Sequence, residues 1–148
     1  MSGRYLLDAS ALINIRDRIN VRAFEEKRGP DLYIIDLTPF EYGNAMWKLF
    51  VRGRIGKSAA LASVRLLEGL LDLGIIKLLA FREYVDAIRI STAAKVSYYD
   101  AAYIVVAKKH ALTLVTDDNG LLANSRVVGV DSIASEELVR RHPGLFYS

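Results

Sequence analysis

Short apolar runs recur along this chain, each followed by a turn signal and then by helical spacing. Tyr5-Leu6-Leu7 is the first, with no polar alternation, the pattern of a strand covered on both faces. Asp8 ends it, and Ser10 is placed to cap a helix that begins at Ala11-Leu12-Ile13. Charged residues and Gly29-Pro30 mark a loop, and Tyr33-Ile34-Ile35 is a second apolar strand. Thr38-Pro39-Phe40-Glu41 then starts a helix, with a capping threonine, proline at the first helical position and glutamate at the third. That helix carries Ala45, Trp47 and Leu49 and ends near Gly53. The spacing predicts a further helix from Lys57 to Leu73, a strand over Ile75–Leu79, and another helix from Phe81 to Lys95. Phe81, Tyr84, Val85 and Ile88 form the apolar stripe of the last.

The stretch from Ser97 to Gly120 carries most of the information. It reads as a helix with Asp100 in its first turn, then a strand over Leu112–Val115 that ends in Thr116-Asp117-Asp118. Val127–Val130 reads as a last short strand, and Ser135–Arg141 as a terminal helix stopped by Pro143-Gly144. No repeat, low-complexity tract or linker divides the sequence, so a single domain over residues 1–148 is expected. Strands alternating with helices imply an α/β fold with a mostly parallel central sheet and helices on both faces. Ligands in such folds bind beyond the carboxyl ends of the strands. Asp8 and the Asp117-Asp118 pair sit at such ends, and Glu41 and Asp100 sit in first turns of helices that can start at the same edge.

Composition narrows the chemistry. Apolar residues make up 52%, enough for a full core and compatible with surface hidden in an oligomer. The net charge of +3, from 20 basic and 17 acidic residues, permits a polyanionic partner without requiring one. The lack of cysteine excludes disulfides, thiolate metal sites and a cysteine nucleophile. His110 and His142 have no ligand spacing and read as surface residues. No glycine loop is present to cradle a nucleotide phosphate. Met1–Leu7 is too short for a signal peptide and no apolar run reaches a membrane span, so a soluble, cytoplasmic protein is expected.

The acids admit two readings. Thr38-x-x-Glu41 and Ser97-x-x-Asp100 fit capping boxes, acids in a first turn complement the helix dipole, and Asp117 or Asp118 could cap a short helix at Leu121-Leu122. Asp8 fits that account least, because it follows a strand covered on both faces and no cation stands near it in sequence. The alternative is that all these carboxylates meet. Clustered carboxylates raise one another's pKa, a divalent cation reverses the penalty, and oxygen-only ligands suit Mg²⁺ or Mn²⁺.

Y-L-L-D-A-S-A-L near the start, E-x-x-N after the second strand, S-Y-Y-D-A-A-Y-I-V-V-A in the middle and L-T-L-V-T-D-D-N-G-L-L near the end together resemble the PIN-domain ribonucleases. Within that family they are most similar to the VapC toxins of prokaryotic toxin–antitoxin pairs. The resemblance runs from Tyr5 to about Val130. It implies a three-layer α/β/α sandwich and a metal-dependent endoribonuclease using Mg²⁺ or Mn²⁺. It also implies a homodimer and a small antitoxin partner. Its metal-site acids fall on Asp8, Glu41, Asp100 and, through a T-x-D pattern, Asp118, with Asp117 as a possible helper. Its supporting polar groups fall on Ser10, Asn44 and Thr116. The implied reaction is hydrolytic, with Asp8, Asp100 or Asp118 activating the water that attacks phosphorus.

Basic residues should surround an acidic centre that receives RNA, and Arg16, Lys48, Arg52 and Arg54 are the candidates, an ordinary solvated face being the other reading. The apolar residues of the helices over 57–73 and 81–95 are candidates for dimer or antitoxin contact. Two rival functions share the fold class: a housekeeping PIN-domain RNA-processing nuclease, and a non-catalytic binding module whose acids only cap helices. A signalling receiver-like domain fits poorly, since Asp8-Ala9 supplies one acid and no lysine stands near Val130.

Overall fold

A computed structural model describes residues 3–27 and 29–148. Its elements, in chain order, are β1 (Arg4–Leu7), α1 (Ala9–Ile15), α2 (Val21–Lys27), β2 (Asp31–Ile35), α3 (Thr38–Val51), α4 (Lys57–Asp72) and β3 (Ile76–Leu79). They continue with α5 (Tyr84–Ala94), α6 (Tyr98–His110), β4 (Thr113–Val115), α7 (Asn119–Val127), β5 (Ser132–Ile133) and α8 (Ser135–Arg141).

The strands form one parallel sheet in the order β3-β2-β1-β4-β5. Alternation along β1 divides the core. Tyr5 and Leu7 pack with Leu12 and Ile15 of α1, Tyr42 and Met46 of α3, Leu67 and Leu70 of α4, and Leu138 of α8. Leu6 faces the other way, against Tyr103, Ile104 and Val106 of α6 and Leu121 of α7. Helices therefore cover both faces, and the expected three-layer α/β/α sandwich is what forms. α6 is buried almost all round, from Ala101 to Ala107, because α5 packs on its outer side through Ala87. Among the described residues no helix is long and apolar enough to cross a membrane.

The order places a topological switch between β1 and β4, since the chain winds from β1 toward β3 on one side and from β4 to β5 on the other. Leu7 is in register with Val115, so Asp8 and Thr116 leave the sheet side by side. In a parallel sheet this is where a crevice opens. α3 starts at that edge because β2 ends there, and α6 starts there because its far end feeds β4.

Several boundaries differ from the sequence expectations. A helix, α2, occupies part of the segment expected to be loop. Asp8, not Ser10, caps α1: its side chain accepts from the Ala11 amide, and the helix begins at Ala9. Thr38 does not cap α3, whose preceding residue is helical; its hydroxyl is used elsewhere. The helix expected from Phe81 begins at Tyr84. The strand expected at Val127–Val130 is not one. Val127 ends α7 and is 84% exposed, Gly129 turns the chain at φ +83°, and only Val130 enters the core. The real strand, Ser132–Ile133, follows that turn.

Candidate functional site

Asp8 is 7% exposed and fully engaged. Its Oδ1 accepts from the Ser10 hydroxyl (2.7 Å) and the Ala11 amide (2.9 Å), and its Oδ2 from the Thr116 hydroxyl (2.5 Å). Burial raises its pKa, those three hydrogen bonds pull it back, and the charge of Asp117 adds to the rise. Among the described residues no cation pairs with it, and a buried carboxylate held ionised by donors alone is costly.

Glu41 stands in the first turn of α3 and accepts from the Tyr103 hydroxyl at 2.6 Å. Its pKa is raised by burial, lowered in part by Tyr103, and raised further by Asp8 and Asp100. Tyr103 is itself kept protonated, by burial and by the Glu41 charge. Asp100 sits in the first turn of α6, where Ser97 caps the helix by accepting from the Asp100 amide at 3.0 Å. Burial raises the Asp100 pKa, and Asp118 and Asp8 raise it further. The Ser97 cap expected from the sequence is therefore present, and it does not stop Asp100 from facing other acids.

The doubled aspartate separates into two roles. Asp118 caps α7 through Oδ1, accepting from the Leu121 amide at 2.9 Å, while its charge acts on Asp100. Asp117 turns away from Asp100: Oδ1 accepts from the Ser135 amide (2.9 Å) and Oδ2 from the Asn14 side-chain amide (2.6 Å). Burial pushes the Asp117 pKa up, but its bonds to Ser135 and Asn14 outweigh that and hold it below the usual range. Asp117 thus ties α8 and α1 to the end of β4. Ser10 and Thr116 knit the edge together, since the Asp117 amide donates to Ser10 Oγ (3.0 Å) and the Asp118 amide to Thr116 Oγ1 (3.1 Å).

The acids are electrostatic neighbours at one sheet edge, yet among the described residues no three of them close into a ready-made metal cage. An open set of oxygen donors, with Asp8, Glu41 and Asp100 carrying raised pKa values, still fits a hard divalent cation, which takes one or two direct carboxylates and keeps several waters. A zinc-type site has no support, because the donors are all oxygen.

Asn44 lies one helical turn beyond Glu41 and is exposed. The basic candidates do not gather at this edge. Arg16 is half-buried and structural: it donates to Ser63 Oγ (3.2 Å) and to the Ile13 carbonyl, and lies over the Tyr42 ring. Lys48 and Arg52 follow Glu41 along α3 by roughly 10 and 16 Å at the helical rise. Arg54 lies past its end. What sits there instead is an apolar groove of about 520 Å³ between α3 and α4, lined by Trp47, Phe50, Leu61 and Val64 with Lys57 at its rim. A polar cleft of about 570 Å³, lined by Thr113, Arg126, Asp131 and Arg141, lies at the start of β4 and so at the opposite edge from the acids.

Tyr103 and Asn14 are not marked out in the sequence, and Thr38 is marked there only as a helix cap. The one signal for Tyr103 is its place three residues after Asp100, on the same helix face.

A family model described as "PIN domain" matches residues 5–126. A curated relative, "Exonuclease VapC9" from Pyrobaculum aerophilum, is 32% identical over 126 residues, covering 85% of this chain and 89% of that protein. The crystal structure of PAE2754 from Pyrobaculum aerophilum superposes with a TM-score of 0.74 at 33% identity, covering 95% of this chain and 97% of that one. A toxin-antitoxin complex from Klebsiella pneumoniae shares the fold, with a TM-score of 0.53 at 15% identity over 88% of this chain and 97% of that one.

Proposed function

We propose that this chain, which belongs to the PIN-domain family, is a divalent-metal-dependent nuclease that hydrolyses RNA and serves as the toxin of a toxin–antitoxin pair. What supports the reading is the placement of Asp8 after β1, Glu41 in the first turn of α3 and Asp100 in the first turn of α6 at one sheet edge, close enough for coupling of their charges. Capping alone accounts for none of that coupling. Glu41 takes its hydrogen bond from Tyr103 and completes no capping box.

Asp8, Glu41, Asp100 and Asp118 would hold Mg²⁺ or Mn²⁺. Such an ion, when bound, neutralises the acidic centre for a phosphodiester and offsets negative charge developing on its oxygens. Asp8 accepts hydrogen bonds on both oxygens and is held in position by them. Asp118 caps α7 through Oδ1, which leaves Oδ2 to accept the proton of the attacking water. The water oxygen bonds to phosphorus, the ester P–O bond opposite it breaks, and the leaving oxygen takes a proton from solvent. Ser10 and Thr116 keep Asp8 in place throughout.

The curated relative is called an exonuclease, whereas the sequence resemblance suggests an endonuclease. An antitoxin is supported by the α3–α4 groove, where Trp47 is 58% and Leu61 46% exposed, a surface suited to an amphipathic helix with acidic flanks opposite Lys48 and Lys57. A second copy is supported by Tyr84, Val85 and Ile88, exposed on the outer side of α5. The cytoplasm is the compartment such a pair implies.

The test is cleavage of linear and circular single-stranded RNA with Mg²⁺, Mn²⁺ or EDTA, by wild type, Asp8→Asn and Asp100→Asn. Metal-dependent cutting lost in both variants is expected, and cutting of the circle identifies internal cleavage. Equal cleavage by all three proteins overturns the reading.

A further inference from the structure

Tyr103 and Glu41 lie 62 residues apart, on helices that cover opposite faces of the sheet. Their hydrogen bond therefore spans the layers at the carboxyl edge. It is backed by a chain of donors. The Ile35 amide meets Thr38 Oγ1 at 3.2 Å, and Thr38 Oγ1 meets the Tyr103 hydroxyl at 2.8 Å. An amide N–H can only donate. The Thr38 oxygen accepts from it, and because the single Tyr103 proton goes to the acceptor-only Glu41 carboxylate, the Thr38 proton is the one that joins Thr38 to the Tyr103 oxygen. The Tyr103 proton is then directed to Glu41 Oε1. The relay runs in one sense and ends on the carboxylate.

Both backing groups are buried: Thr38 is 0% and Tyr103 2% exposed. Glu41, by contrast, is a half-buried side chain in a first turn, where burial and the like charges of Asp8 and Asp100 both disfavour its ionised carboxylate. A fixed donor beside it opposes both. This also explains why Thr38 begins α3 without capping it: its hydroxyl is committed to the relay.

We propose that Tyr103, aligned by Thr38, is a positioning residue that holds the Glu41 carboxylate toward the acidic site against the repulsion of its neighbours. The proposal rests on the reading of Glu41 as a metal-holding acid. Hydrogen-bond partners that orient a ligand typically change metal affinity by ten- to a hundredfold when removed.

The experiment measures Mn²⁺ binding by electron paramagnetic resonance, with thermal unfolding of the metal-free protein, for wild type, Glu41→Gln, Tyr103→Phe, Thr38→Val and Thr38→Ser. Tyr103→Phe and Thr38→Val are expected to weaken Mn²⁺ binding by about tenfold. Thr38→Ser, which keeps the hydroxyl, is expected to bind as wild type. RNA cleavage by Tyr103→Phe should recover as Mn²⁺ is raised, a shift in metal requirement that a merely destabilised protein would not show. If Tyr103→Phe does not fold, the contrast between the two Thr38 variants decides the matter. Wild-type Mn²⁺ affinity in Tyr103→Phe or Thr38→Val, alongside weakened binding in Glu41→Gln, overturns this inference and leaves the metal reading standing. Wild-type affinity in Glu41→Gln overturns both.

Discussion

Thr116 donates to Asp8 Oδ2 at 2.5 Å and so ties the carboxyl end of β4 to that of β1. Thr116 Oγ1 itself accepts from the Asp118 amide at 3.1 Å, which makes one buried hydroxyl responsible for the placement of two acids. Thr116→Val keeps the shape and removes the hydroxyl. It is expected to leave a buried Asp8 oxygen unpaired, at a cost of about 1–3 kcal/mol in urea unfolding. It should also weaken Mn²⁺ binding by about tenfold or more in calorimetric titration. Thr116→Ser should restore both. A Thr116→Val protein with unchanged stability would show the contact to be idle.

Asp100 carries a charge that burial, Asp118 and Asp8 all disfavour. Asp100→Asn removes that charge at nearly constant shape. The metal-free variant should melt about 2–4 °C above wild type by scanning calorimetry. The increase in melting temperature that saturating Mg²⁺ gives the wild type should shrink, and RNA cleavage should fall at least a hundredfold. A variant that melts lower than wild type without metal would contradict the electrostatic account.

The pH dependence of the metal-free protein follows from the same groups. Asp8, Glu41 and Asp100 have folded-state pKa values above their unfolded ones, so the folded state binds more protons in that interval. Their contribution to stability is present at low pH and lost as pH rises through the raised values. Asp117 is shifted the other way, and its contribution is lost only as pH falls below the ordinary carboxylate range. The melting temperature should therefore rise as pH is lowered through the raised values, then fall in stronger acid. Saturating Mg²⁺ should flatten the first limb by competing with the protons. A metal-free melting temperature that falls steadily with pH from neutrality, with no rise, would count against burial and neighbouring charge disfavouring these carboxylates.

Arg16 reads as an RNA contact in sequence, but its side chain is committed to Ser63, the Ile13 carbonyl and the Tyr42 ring. Arg16→Leu is expected to cost about 1–2 kcal/mol of stability through lost hydrogen bonds and packing. RNA affinity below the melting range should stay within twofold of wild type, measured by fluorescence anisotropy with Ca²⁺ in place of Mg²⁺. A selective loss of RNA affinity with unchanged stability would return Arg16 to the substrate surface.

The sequence alone determined the parallel α/β sandwich, because runs of apolar residues without alternation need cover on both faces, and Asp8, Glu41, Asp100 and Thr116-Asp117-Asp118 mark where its elements begin or end. Local patterns report burial and caps, and the Ser97 cap was legible for that reason. They misjudge an apolar run that splits between a helix end and a turn, as Val127–Val130 does. Only the tertiary structure decided which aspartate of the pair couples to Asp100, because Asn14, 103 residues away, and Ser135 take hold of Asp117 and leave Asp118 beside Asp100. It alone brought Tyr103 onto Glu41 and carried the basic end of α3 away from the acids. Such contacts depend on the register of strands and the rotation of helices about their axes, which are set by packing the whole core, so no neighbouring residue in the chain announces them.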